Sequence, residues 1–86
     1  MSRKGKLLRR FLSKPADFRF DEMNTLLRGF GYEKMGSGKT AGSRTAFIHK
    51  ASGHIIRLHK PHGSGNLKRY QMDLVEEDLR VKGLIQ

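Results

Sequence analysis

The stretch RTAFIHKASGHIIRLHK, residues 44–60, decides how this chain folds. It holds two short runs rich in β-branched and aromatic residues, separated by Lys50-Ala51-Ser52-Gly53. That pattern predicts two antiparallel strands joined by a tight connection, with Gly53 free to take a positive φ. Side chains alternate along a strand, so Thr45 and Phe47 share one face while Arg44, Ala46 and Ile48 share the other. In the second run Ile56 and Leu58 lie together, opposed to Ile55, Arg57 and His59. Apolar weight points Phe47, Ile56 and Leu58 inward, and a slip of one residue would reverse every assignment.

Upstream lies GSGKTAGSR, residues 36–44, whose first half looks like the end of a nucleotide-binding P-loop. A P-loop requires a glycine, four intervening residues and then Gly38-Lys39-Thr40, because that first glycine opens the turn around the phosphates. Glu33 stands there instead. The loop must also lead into a helix whose N-terminus faces the anion, whereas here it leads into the strand at Arg44. ATP binding is therefore not expected. Before the loop, Tyr32–Met35 reads as a third strand.

Three helices complete the pattern. Leu7, Leu8, Phe11 and Leu12 form a short amphipathic helix that stops near Ser13-Lys14-Pro15. Met23, Leu26, Leu27 and Phe30 recur with helical spacing, Asp21 and Glu22 favour the first turn, and Gly31 suits the C-terminal cap. Arg19, just ahead, cannot complete a capping box with Glu22. From Leu67 to Lys82 a last helix is expected, with Leu67, Tyr70 and Leu74 on one apolar flank and Met72, Val75 and Leu79 on the other. Arg69, Asp73, Glu76 and Arg80 would form its wet face. The expectation is one α+β domain over 1–86: a basic helix in 1–15, a helix over 20–30, three strands within 32–60, and a helix over 67–82. The order α-α-β-β-β-α implies a three-stranded antiparallel sheet with helices on one face and the other face open.

Charge narrows the partners. The chain has 86 residues, with 18 Lys and Arg against 8 Asp and Glu, a net charge of +10. From Lys34 to Met72 there is no acidic residue, yet that segment holds Lys34, Lys39, Arg44, Lys50, Arg57, Lys60, Lys68, Arg69 and every histidine. A basic zone of this kind favours a polyanion, nucleic acid above all. Cysteine is absent, which removes disulfides and thiolate metal ligands. No apolar run reaches membrane-spanning length, and Arg9 and Arg10 interrupt the one basic N-terminal stretch. The plain expectation is a cytoplasmic protein with no membrane partner.

Two stretches carry candidate chemistry. Backbone N–H groups of the glycine loop, with Lys39 and Arg44, would suit a nucleic-acid phosphate, although a plain connection between strands would use the same glycines. HKPH, residues 59–62, offers His59 and His62. A zinc set drawn from these with His54 or His49 lacks both thiolate and carboxylate, so no metal or other cofactor is expected. Two imidazoles among cations suit acid–base work on a ribose phosphodiester, and they equally suit simple RNA binding. Phe11, Phe18, Phe20, Phe30 and Phe47 take core positions, so no base-stacking platform is indicated.

LLRRFLSKPADFRFDEMNTLLRGFGYEKMGSGKTAGSR (7–44), IIRLHKPH (55–62), LKRY (67–70) and KGLI (82–85) together resemble the HicA family of type II toxins. The likeness runs from about Leu7 to Ile85. It implies a double-stranded-RNA-binding-like fold, metal-independent cleavage of mRNA, and neutralisation by a HicB-like antitoxin. The family places a catalytic histidine after Gly-Ser at the start of the second strand, where this chain has Gly42-Ser43-Arg44. Arginine does not give up its proton in a protein, so it cannot act as the base. By the same likeness His62 takes the place of a second family histidine. His59 and His62 become the acid–base candidates, with Lys39, Arg44, Arg57, Lys60 and Lys68 as RNA ligands. The alternative is the same fold binding RNA or the ribosome without cutting.

Overall fold

The structure is a computed structural model, and it describes residues 3–35, 44–59 and 65–85. In chain order the elements are α1 (Arg3–Leu12), α2 (Phe20–Gly29), β1 (Tyr32–Lys34), β2 (Arg44–His49), β3 (Ile55–His59) and α3 (Arg69–Val81). The three strands form one antiparallel sheet in the order β1-β2-β3. The expected α+β class and element order are found. The glycine loop of residues 36–43 lies outside the described residues.

The β2–β3 register follows the apolar weighting. Phe47 faces Ile56 and Thr45 faces Leu58, while Ala46 faces Arg57 and Arg44 faces His59. Phe47, Ile56 and Leu58 are buried, and Arg57 and His59 are exposed. Gly53 takes φ +79°, as the connection requires, and its N–H donates to the His49 carbonyl at 2.7 Å. β1 joins the same core through Tyr32, which lies opposite His49.

One cluster unites the buried face of the sheet with Phe11, Phe18, Phe20, Met23, Leu26, Leu27, Leu67, Met72, Val75 and Leu79. Leu7 and Leu8 pack at its margin, but Leu12, expected on the same apolar stripe, is exposed. The larger departure is on α3. Tyr70 and Leu74 were expected on an apolar flank, yet they are 57% and 61% exposed. The stripe holding Met72, Val75 and Leu79 takes all the core contact, and a helix of this length buries only one such stripe. Gln71, not an apolar residue, occupies the neighbouring buried position.

Glu76 also departs from the expected wet face. Its carboxylate accepts from the Lys14 ammonium and from Arg80, and Asp73 accepts from Lys14 at 3.0 Å. Lys14 ends α1 with φ 54°, a left-handed conformation that glycine usually supplies. The side chain is only 9% exposed, so the pairing with α3 offsets the backbone cost. Hydrogen bonding to Glu76 raises the Lys14 pKa, and the Lys14 bond holds Glu76 and Asp73 below the usual carboxylate range.

A second tie runs from α1 to α2. Arg10 Nε donates to Glu22 Oε2 at 2.7 Å and Nη2 to Asp17 Oδ1 at 3.2 Å. Glu22 also accepts the Arg19 N–H at 3.0 Å, which is half of a capping box; a guanidinium has no acceptor with which to return the other half. The Arg10 bond keeps the Glu22 pKa low.

Carboxylates with depressed folded-state pKa values bind fewer protons folded than unfolded, so stability is present above the ordinary carboxylate range and lost as pH falls through the depressed values. Urea midpoints should therefore drop on acidification. Lys14→Met should cost about 1–2 kcal/mol at neutral pH, between the values of exposed and buried ion pairs. It should also flatten the acid slope, and an unchanged slope would assign the acid sensitivity elsewhere.

Candidate nucleic-acid interface

Hydrogen-bond parity within the hairpin fixes what each strand presents. The His49 N–H donates to the His54 carbonyl at 2.8 Å, while the Ala46 carbonyl turns the other way and accepts from Met35 on the β1 side at 2.8 Å. Even-numbered positions of β2 therefore face odd-numbered positions of β3 across non-hydrogen-bonded pairs. In such pairs the Cα atoms approach to about 4.5 Å and the side chains stand closest. Ala46–Arg57 is one of these pairs, on the face away from the core, and at the same parity the backbone of Arg44 lies opposite His59. Glu33, Ile48 and Ile55 continue that face toward the hairpin end. The exposed face thus has a basic end and a more apolar end.

Gln71 connects the basic end to α3. Its Nε2 donates to the His59 carbonyl at 3.1 Å, and its Oε1 accepts the Lys68 N–H at 3.0 Å. The side chain lies in a residue only 5% exposed, with both amide atoms used. Lys68, just before α3, is thereby held beside the end of β3, and its side chain is exposed. The sequence carries the signal for half of this. A glutamine three residues after Lys68 sits where an N-terminal cap reaches back to the backbone. The bond to His59 depends on tertiary placement.

A further pairing supports the same corner. Residues on either side of Arg19 and Asn66 form an isolated antiparallel bridge, with Phe20 N–H donating to Gly65 at 3.0 Å and Leu67 N–H to Phe18 at 2.8 Å. The approach to α3 is thus fixed against the start of α2, which no local sequence pattern announced.

Of the expected site residues, the structure brings together His59, Arg57 and Lys68, with the backbone of Arg44 opposite His59. Lys39, Lys60 and His62 lie outside the described residues. His49 and His54 belong elsewhere. They sit at the far end of the hairpin, five residues along the strands from Arg44 and His59, roughly 17 Å away. There His54 Nδ1 is hydrogen-bonded to the Tyr32 hydroxyl at 2.8 Å and His49 Nδ1 to Ser52 Oγ at 2.9 Å. Burial raises the Tyr32 pKa, with Asp78 adding to it, so the phenol keeps its proton. Gly31, at φ +96°, leaves room for the ring: a Cβ there would meet His49 Nε2 at 3.2 Å. These two histidines are therefore core-margin residues, and a metal shared between them and His59 is ruled out by distance. Among the described residues, no three histidine or acidic groups are placed to hold a metal ion.

Electrostatically the corner is left open. Among the described residues, Arg57 and Lys68 pair with no carboxylate, as do Lys6, Arg28, Lys34 and Lys82, whereas Arg10, Lys14, Lys50, Arg69 and Arg80 each do. Unpaired cations on an exposed surface can meet phosphate oxygens without first breaking an internal bond. No helix among the described residues is long and apolar enough to cross a membrane. The chain matches no protein-family model, no curated protein and no solved structure.

Gln71→Met keeps the side-chain volume while removing both amide bonds. It should lower stability by about 1–3 kcal/mol, because a backbone donor and acceptor lose their partners. The shift in urea midpoint measures it, and an unchanged midpoint would mean that water replaces both bonds.

Proposed function

We propose that this chain is a HicA-type toxin that binds RNA on the exposed face of its sheet and cleaves mRNA without a metal ion. Its fold would be double-stranded-RNA-binding-like, with the helices on the face opposite the RNA. Its place of action would be the cytoplasm. The observation that carries the reading is the cluster of His59, Arg57 and Lys68, which pairs with no carboxylate among the described residues and lies inside an acid-free segment of the sequence. A HicB-like antitoxin would neutralise the toxin by covering this face.

In this mechanism a neutral His59 imidazole accepts the proton of a ribose 2′-hydroxyl. The 2′-oxygen attacks the adjacent phosphorus, and the bond from phosphorus to the 5′-oxygen breaks. His62, protonated, supplies the leaving oxygen with its proton. The products are a 2′,3′-cyclic phosphate and a 5′-hydroxyl, so atoms and charge balance. Arg57 and Arg44 stabilise charge that grows on the phosphoryl oxygens, and Lys39, Lys60 and Lys68 hold neighbouring phosphates.

A second reading has its own observation: Arg44, with no base function, stands opposite His59 where the resembling family keeps a catalytic histidine. The protein would then grip RNA, or block a ribosome, and leave the strand intact.

Purified protein should cut single-stranded RNA in the presence of chelator. His59→Ala should lower the rate about 10²- to 10⁴-fold while leaving binding largely intact. Arg57→Ala and Lys68→Ala should weaken binding and each reduce the slope of log K against log salt by about 0.7. Intact RNA with wild-type binding would select the non-cutting reading. Absence of salt-dependent binding would reject both.

A further inference from the structure

β3 is an edge strand. The sheet order β1-β2-β3 gives it one neighbour, and the ladder to β2 uses only half of its backbone. The parity set by the bond from the His49 N–H to the His54 carbonyl turns the N–H and C=O groups of Ile56 and Leu58 toward β2. Ile55, Arg57 and His59 therefore turn theirs the opposite way. Gln71 marks that direction, since its Nε2 reaches the His59 carbonyl from α3 and not from β2. Among the described residues, nothing else bonds this edge: the N–H and C=O of Ile55 and Arg57, and the N–H of His59, stay open. Gln71 thus closes the edge at its C-terminal end and leaves the stretch before it free.

We infer that this edge is the docking site for an extended segment of an acidic partner protein, which joins the sheet as a fourth strand. A row of open donors and acceptors is the template for strand addition, and the side chains at alternate positions choose the partner. Charge selects the occupant. Arg57 is exposed, pairs with no carboxylate among the described residues, and shares the outer face with half-buried Ile55. A matching strand carries a carboxylate and an apolar side chain two positions apart, beside Arg57 and Ile55. The inference stands apart from the RNA reading, because the edge keeps its open groups whether or not the sheet face holds RNA.

Two other occupants fit the edge less well. A second copy paired antiparallel about Arg57 would set guanidinium against guanidinium, in a chain already at a net charge of +10. RNA phosphates can accept from the open N–H groups but carry no donor for the Ile55 and Arg57 carbonyls. A peptide backbone supplies donors and acceptors alike.

The probe is the end-capped peptide Thr-Ile-Thr-Glu-Thr-Ile-Thr-Glu-Thr, titrated into the full chain and followed by amide hydrogen exchange in NMR spectra. In the free protein the Ile55 and Arg57 amides should exchange fast, and those of Phe47 and Ile56, which lie within the β2–β3 ladder, slowly. Bound peptide should slow the first two by about tenfold or more. Ile55→Pro removes an outward N–H at the first residue of the strand, where proline is tolerated. It should lower affinity about fivefold to a hundredfold, while Ile55→Val should bind nearly as wild type. A peptide N-methylated at its central Thr and the Ile after it loses donors on both of its edges, and repeats that test without touching the protein's fold. Replacing both Glu by Lys should cost about threefold to thirtyfold, and Arg57→Glu should narrow that gap. Peptide binding that leaves the Ile55 and Arg57 amides open to exchange, or no binding at millimolar peptide, would overturn the inference. Protection of those amides by 2′-O-methyl oligouridylate, with none from the peptide, would overturn it in favour of RNA. Protection that rises with protein concentration alone would overturn it in favour of a second copy.

Discussion

The pairing of Phe47 with Ile56 is the constraint from which the rest of the molecule follows. Side chains in a sheet alternate with a period of two, so this one pair sets the facing of every residue in β2 and β3. With Phe47 and Ile56 inward, Leu58 joins the core and Arg57 and His59 turn to water. A slip of one position would bury a guanidinium and expose two large aliphatic side chains, a cost no neighbouring group could offset. The basic face is therefore a consequence of core packing. Its chemistry is whatever the sequence places at the alternate positions, and those positions hold Arg44, Arg57 and His59.

A core of this size leaves the helices to be fixed partly by polar ties, and each tie uses a residue at the end of an element. Arg10 near the end of α1 grips Glu22 in the first turn of α2, and Lys14 just past α1 grips Glu76 and Asp73 on α3. Gln71 in the first turn of α3 grips the end of β3. The three ties do different work. The first two consume charges of both signs and so take Arg10 and Lys14 out of the pool of free cations. The third is neutral, so it anchors the corner that holds His59 and Lys68 without spending any of its positive charge.

What could be read from the sequence divides along the same line. Strand facing, the hairpin and the core residues of α2 came directly from period and turn chemistry, because one face of each element is buried and the pattern is strong. On α3 the pattern was ambiguous. Tyr70 and Leu74 are as apolar as Met72 and Val75, and only the geometry of the packed sheet decides which stripe it covers. Glu76 was read on a wet face and Lys14 only as part of a helix stop, because their partnership spans sixty-two positions of sequence, far beyond any local spacing. At the site, His59 was singled out from the HKPH stretch, and Arg57 and Lys68 from the acid-free segment and the family resemblance, but nothing local linked them. The link is Gln71, whose cap position is visible in sequence and whose bond to His59 is not.

The distribution of carboxylates also explains why a chain of this charge folds without sacrificing its basic surface. Like charges held together in a compact state repel, and the cheapest relief is to pair them. Here the acidic residues are concentrated in α2 and α3, where they meet cations of α1 and of α3 itself. Among the described residues, the sheet face receives relief at Lys50, paired with Glu33 at the β1 side. Repulsion between Arg57, Lys68 and their basic neighbours therefore persists in the free protein. A polyanion that binds there gains its own attraction and also relieves that repulsion. The charges that tie the helices together and those left on the sheet face are thus separate sets, and a substitution on one set leaves the pairings of the other in place.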